Sequence, residues 1–544
     1  MTTLYLDIET NMAHDMIWCC VTQQEGTSTV FTDACGLQEA IDLADEVVGH
    51  GITDFDSRVL EKVWNVRIPR EKMTDTLLLS RLAHADQKRH SLEYWGEELN
   101  FPKINFNDYD AGLSDEMIDY CKQDVALTAK LHERLKLSLK KFSQQSIKLE
   151  HDVAYILQQQ EANGFKLDVD KANDIIVNVM MEMKDITEKL HKIFPPIITP
   201  RTSIKTGKKL KDKIEEFNIS SRQQIAKRLQ QKGIKLKEKT EKGQLIINEK
   251  ILAEIDTPES NLINRYLLLQ KRQSQVESWL KLVTKEGRVH GRVRTNGTVT
   301  GRMTHSTPNM AQVPAVNVPF GRECRECWTV DEGNVLVGAD ASGLELRMLA
   351  HYMNDEEYTY EVLSGDIHTA NQNAAGLQTR DQAKTFIYAF LYGAGPAKIG
   401  QIVGGSYDKG RELIDEFLDN TPALKKLRKS ISDIAETGTL KGLDGRRLTV
   451  RSKHSSLNTL LQGAGAIVMK QALVILDEAL KKHNLPYKFV ANVHDEWQIE
   501  VPEWAAKAVG YQAVYAIREA GKVLDLNCPL DGEFKIGRNW AETH

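Results

Sequence analysis

Residues 334–353 read NVLVGADASGLELRMLAHYM. An apolar run ending in an acid is a strand that delivers Asp340 to its end, beside the backbone carbonyl of Ala341, and residues 341–353 continue as a helix carrying Glu345. A carboxylate and a carbonyl side by side are hard oxygen donors of the kind a divalent cation takes. Far along the chain, residues 488–493 and 498–501 alternate about a tight His494-Asp495-Glu496 tip, which predicts a hairpin. That hairpin brings Asp495 to the cleft of Asp340 if the two strands are neighbours, with Glu496 as a third acid nearby.

Between these segments lies RDQAKTFIYAFLYGAG, residues 380–395. Arg380, Lys384, Tyr388 and Tyr392 recur four apart, so a helix over about 379–394 sets them along one slowly drifting face. Two cations there can clamp a polyphosphate while two phenols cover a sugar and base. A lone amphipathic helix with aromatic residues in the core reads the same way; the flanking acids separate the two readings.

A second group of acids stands near the start. In LDIET, residues 6–10, Asp7 and Glu9 lie two apart on a strand and share one face, while Leu6 and Ile8 pack on the other. Asp56 follows in GITDFDSRVL, and Tyr120 precedes Asp124 by one helical turn in YCKQD. Four acids from three segments can hold two Mg²⁺, with the tyrosine hydroxyl orienting or deprotonating a water.

The order D-x-E, F-D, Y-x-x-x-D resembles the tyrosine-containing DEDD exonucleases, in particular the proofreading domain of family A DNA polymerases; Gly51 stands where that family usually has asparagine. Residues 340–353, 380–395 and 493–497 closely resemble motifs A, B and C of the same family. The likeness is nearest to the replicative enzymes of short-tailed lytic bacteriophages and extends through TVTGRMTHSTPNMAQVP, GDIHTANQ and LLQGAGAI. It implies an RNase H-like α/β exonuclease domain followed by a right-hand α+β polymerase domain. The divisions expected are exonuclease 1–146, thumb and connecting helices 147–300, palm 301–365, fingers 366–455 and palm again 456–544.

The resemblance also implies roles. Asp340, Ala341 and Asp495 would bind two Mg²⁺, with Mn²⁺ as the substitute ion, and Asp7, Glu9, Asp56 and Asp124 would bind the second pair beside Tyr120. His368, Arg380 and Lys384 would hold the dNTP phosphates, with Tyr388 at the sugar. Glu345, bonded to Tyr392, would fill the space of a 2′-hydroxyl, and Arg302, Gln462 and His494 would read the minor groove of the primer-template. Glu496 would support the primer end. A 5′ nuclease and nick translation are expected to be absent, since the acids begin at residue seven. The short stretch 197–220 predicts no dependence on thioredoxin; helicase-primase and single-strand binding protein are the fork partners expected. A single-subunit RNA polymerase, the competing reading, sits poorly with the D-x-E segment and with Glu345.

The 544 residues exceed what one core usually supports. With 41% hydrophobic and 27% charged residues and no run of 18 apolar residues, the sequence predicts a multidomain cytoplasmic protein with no membrane segment, the cytoplasm being that of the infected host if the protein is phage-encoded. Seven cysteines argue against a disulfide framework, and the Cys324/Cys327 pair lacks the second pair of a zinc site. Net charge is −5, yet residues 201–250 hold 15 Lys+Arg against 6 Asp+Glu, a block able to neutralise phosphates. Strands at 3–8 and 45–50, helices at 36–46, 71–83 and 114–141, and a long helical arm without a compact core over 147–285, broken at Phe194-Pro195-Pro196, complete the expected layout.

Overall fold

The computed structural model describes residues 2–202, 207–236, 238–240 and 243–544; of the Lys-rich block, Lys205, Lys237 and Lys242 lie outside them. Strand Thr3–Thr10 alternates as its sequence requires, with Leu4, Leu6 and Ile8 sunk in a core against Ile17, Val47 and Leu60. It is the centre of a five-stranded sheet, pairing antiparallel with Ile17–Gln24 and parallel with Glu46–Gly49. Strands Thr27–Phe31 and Met73–Asp75 form its edges. Helix Asp115–Ser138, capped by the Ser114 hydroxyl on the Met117 amide, lays Cys121 and Val125 across Cys19 and Val21. Strands Ile17–Gln24 and Thr27–Phe31 are absent from the sequence reading. The expected helix 71–83 is corrected to a strand plus helix Thr76–Ala83, because Asp75 stays extended and caps the helix through the Leu77 amide.

The helical arm is corrected too. Gly164, at φ 61, ends helix Gln144–Asn163, and strand Phe165–Leu167 then pairs with Trp328–Thr329 and Arg288–Val289. Helices Val169–Ile193 and Pro258–Leu280 pack together around Ile175, Leu190, Ile263, Val276 and Trp279, so this region has a packed core, one that continues to Leu336, Val490 and Trp540. After Pro195-Pro196, where the expected helical arm breaks, the chain forms an exposed pair of antiparallel strands, Ile197–Thr202 with Lys209–Glu215.

The remaining residues build on a four-stranded antiparallel sheet in the order Lys488–Val493, Glu496–Pro502, Asn334–Ala341, Gly532–Gly537. Helices Ser456–Lys482 and Ala506–Val523 pack on each other in the same core as Val337, Trp497 and Ile499. Among the described residues, Lys453–Lys482 is the one helix long and apolar enough to cross a membrane; most of that span is buried inside the fold. All seven cysteines are free.

Candidate functional site

The sheet register makes the neighbours that the sequence left conditional. Asp340 lies opposite Glu496 on one side and Glu533 on the other, and the Ala341 amide donates to the Asp495 carbonyl at 3.2 Å. The hairpin tip is tighter than expected: His494 and Asp495 form the turn, His494 at φ 58, and Glu496 already belongs to the strand. Burial and the Asp495 charge raise the Asp340 pKa to about 7, and burial and Glu345 raise Asp495 to about 6. No described Lys or Arg forms an ion pair with either, so the pair is an oxygen-only, charge-repelling site that a divalent cation would relieve.

Glu496 is spent differently. It is 8% exposed and takes hydrogen bonds from the Trp540 indole and the Gln498 amide at 2.5 Å each, with His544 Nδ1 at 3.1 Å. Burial works against its charge, but these contacts outweigh it and hold the carboxyl below its ordinary range.

Helix Arg380–Leu391 is capped by Thr379 and buries Ala383, Phe386, Ile387 and Phe390, which turns Arg380 and Lys384 outward. Gly393, at φ 81, closes it: the Gly393 amide donates a hydrogen bond to the Phe390 carbonyl and the Ala394 amide to the Ala389 carbonyl. This C-terminal turn sets the Tyr392 hydroxyl 2.8 Å from Glu345 Oε1. The Arg380 guanidinium reaches Asp366 Oδ2 at 2.9 Å, and Asp366 in turn caps the helix that begins at Ile367 and carries His368. The His368 and Tyr388 rings are 6.2 Å apart, and Lys384 has no ion pair among the described residues. Arg302, Glu345, Tyr392, His494 and Asp495 line one cavity of about 350 Å³, together with Lys470, which the sequence reading missed. Gln462 is half-buried on the adjoining helix and is not among the residues lining that cavity, although Leu461 is.

The N-terminal acids also converge. Asp7 and Glu9 come from the central strand, Asp56 from the first turn of helix Asp56–Val59, and Asp124 from the helix above. Asp75, 1% exposed, accepts from the Gly51, Thr53 and Leu77 amides at 2.8, 3.1 and 2.9 Å and so fixes the loop that leads to Asp56. Gly51 sits at φ +82, a left-handed position that glycine and asparagine share readily. Burial together with the Asp124 charge pushes Glu9 up to about 8; burial alone dominates in Asp56, raised to about 7, and Asp7 rises with them. Burial also raises the Tyr120 phenol well above its ordinary range.

Lys103, absent from the sequence reading, bridges Asp124 Oδ2 at 2.5 Å and the Tyr120 hydroxyl at 2.8 Å. It lies in the irregular segment before helix Asp115–Ser138, where no periodicity marks it.

Residues 201–542 match the family model described as DNA polymerase family A. The DNA-directed DNA polymerases of Enterobacteria phage T3 and Escherichia phage T7 are each 34% identical over 92% of this chain and 92% of their own length. DNA polymerase I of Aquifex aeolicus is 26% identical over 91% of the chain and 88% of its own. A solved structure, the POL domain of Pol1 from M. smegmatis in complex with DNA primer-template and dNTP, shares the fold with TM-score 0.84 at 18% identity, over 99% of this chain and 96% of that one. The acids at one end of the sheet's two inner strands, the cationic helix beside them and these phage and bacterial relatives converge: the chain belongs to DNA polymerase family A and is a DNA-directed DNA polymerase.

Proposed function

We propose that this phage-like polymerase extends a DNA primer at the Asp340–Asp495 site and trims it 3′-to-5′ at the Asp7–Glu9–Asp56–Asp124 site, each with a pair of Mg²⁺ ions. The observation that carries the reading is the convergence of two separate sets of acids, each assembled from distant segments and each holding carboxyl groups pushed up to between about 6 and 8. When bound, divalent ions supply Lewis acidity and neutralise charge on the phosphorus being attacked.

The chain's own groups do the rest. Asp340, Asp495 and the Ala341 carbonyl hold the ions at the palm edge. Arg380, Lys384 and His368 take the triphosphate: both cationic charges are felt at His368, and the Arg380 guanidinium exchanges Asp366 for phosphate oxygens. Tyr388 covers the sugar, and the Glu345–Tyr392 bond fills the place of a 2′-hydroxyl. Arg302, His494 and Gln462 present donors to the minor groove of primer-template DNA, where acceptors are common to every base pair. Glu496, its oxygens committed to Trp540, Gln498 and His544, positions the hairpin tip and through it the primer end.

At the second site Tyr120 stays protonated and orients the attacking water rather than deprotonating it, with Lys103 fixing its hydroxyl. We assign 1–146 to the exonuclease, 147–300 to thumb and connecting helices, 301–365 and 456–544 to the palm, and 366–455 to the fingers.

Primer extension on a primed template with Mg²⁺ and dNTPs tests the reading. Asp340→Ala is expected to lose extension by about 10³-fold or more while still shortening primers. Asp7→Ala with Glu9→Ala is expected to extend without trimming. Trimming that survives the double substitution removes the exonuclease assignment.

A further inference from the structure

Helix Gln144–Asn163 has two occupied faces. Leu149, Val153, Ile156 and Leu157 sink into the core that also holds Val337, Trp497 and Ile499. His151, Asp152, Tyr155 and Gln158 reach the other way, toward the N-terminal sheet and its loops. Asp152 meets the Arg70 guanidinium at 2.8 Å, and that guanidinium lies over the Tyr155 ring, 4.9 Å from its centre. His151 Nδ1 lies 2.8 Å from the Ile147 carbonyl, to which it donates, so its Nε2 is left as an acceptor and takes the Asp75 amide at 2.9 Å. Gln158 Nε2 donates to the Thr53 carbonyl at 2.6 Å.

Both bonds bear on one loop. Asp75 ends the edge strand of the sheet, and its carboxylate accepts from the Gly51 and Thr53 amides. Thr53, 4% exposed, is thus held at its amide by Asp75 and at its carbonyl by Gln158, and the same loop ends at Asp56. Residues 51–56 have little to lean on beyond these bonds: Asp54 and Phe55 line an open cavity of about 1130 Å³, together with Leu77, Leu157 and Gln158. The loop takes its shape from polar pins more than from packing, and a pin lost in so buried a place is not replaced by water.

We propose that His151 and Gln158 are positioning residues for trimming. From a helix embedded in the core behind the Asp340 strand, they pin the loop that delivers Asp56, so the N-terminal acids are complete only while that helix is docked. Trimming is then not a property of the five-stranded sheet and its helices alone; it borrows two side chains from beyond them. This rests on the exonuclease reading above.

The test uses the full chain with His151→Leu, Gln158→Leu and His151→Gln, the last supplying an amide oxygen that can accept from Asp75. In each Leu variant kcat for trimming is expected to fall by about tenfold or more with KM for the primer unchanged, and the Mg²⁺ concentration that half-saturates trimming is expected to rise by a similar factor. His151→Gln is expected to recover most of the loss. Extension is expected to stay the same, since neither residue lines the cavity of Asp495. Hydrogen exchange on the DNA-free protein is expected to show the Gly51 and Thr53 amides opening faster in both Leu variants. Trimming and exchange that match wild type in both Leu variants overturn the proposal, as does a His151→Gln variant no better than His151→Leu, or extension that falls in step with trimming. Trimming that survives Asp7→Ala with Glu9→Ala overturns the exonuclease reading instead, so the two failures appear in different variants.

Discussion

Asp340 carries its proton in the folded chain up to about pH 7, against an ordinary 3.8. Between those values the folded chain binds more protons than the unfolded one, so the contribution to stability is unfavourable and grows as pH rises through the window. Stripped of metal, the protein is therefore expected to melt higher at pH 5 than at pH 8. Asp340→Asn is expected to stabilise it at pH 8 by about 2 kcal/mol, and added Mg²⁺ is expected to reverse that order; calorimetry in EDTA and in Mg²⁺ checks both. Glu345, held by Tyr392 at 2.8 Å, makes a separate prediction. Glu345→Ala opens the space beside the sugar, so the ratio of ribonucleotide to deoxyribonucleotide incorporation in single-turnover extension should rise by about tenfold or more. The acids and the cationic helix residues were legible because metal and phosphate chemistry limits residue type and spacing. Lys103 and Lys470 were not, since each earns its place from a partner distant in sequence.

At the scale of elements, regular periodicity translated well and loops did not. Helices Asp115–Ser138 and Arg380–Leu391 and the hairpin around Asp495 stand where alternation and fourfold spacing put them. Strand Ile17–Gln24 was missed because it is buried along most of its length and carries no polar-apolar alternation. The loop before Asp56 depends on one carboxylate, Asp75, and the three amides it accepts. Asp75→Ala strands those donors in a buried place and is expected to cost about 3 kcal/mol. The expected signature is trimming that falls while extension persists, with earlier loss of N-terminal amide protection in hydrogen exchange.

Across the whole molecule, helix Gln144–Asn163 is bolted to the turn at Asp444 and to helix Ser456–Lys482 by a buried charge cluster. Glu150 Oε1 takes Arg446 Nη1 at 2.6 Å and Lys470 Nζ at 2.5 Å, and Arg446 also holds Asp444, all at about 1% exposure. Burial opposes the Glu150 charge, yet Lys470 and Arg446 bring its pKa to about 2. Glu150→Ala leaves Lys470 uncompensated and is expected to destabilise the fold by about 3–5 kcal/mol in chemical denaturation. Because Lys470 lines the same cavity as Asp495 and Glu345, extension is expected to fall with it. Nothing local announces this cluster: its members come from helix Gln144–Asn163, the turn at Asp444 and helix Ser456–Lys482, and only packing pairs them. By itself the sequence determined the family, the order of the motifs and the identity of nearly every acid, because those follow from local periodicity and from residue chemistry. The tertiary structure decided which acids share a site, that Glu496 is tied up by Trp540 and His544, that Lys103 stands against Tyr120, and that the Cys121 thiol lies against Asp7. Those depend on sheet register and helix packing, interactions between residues far apart in the chain that no local pattern encodes.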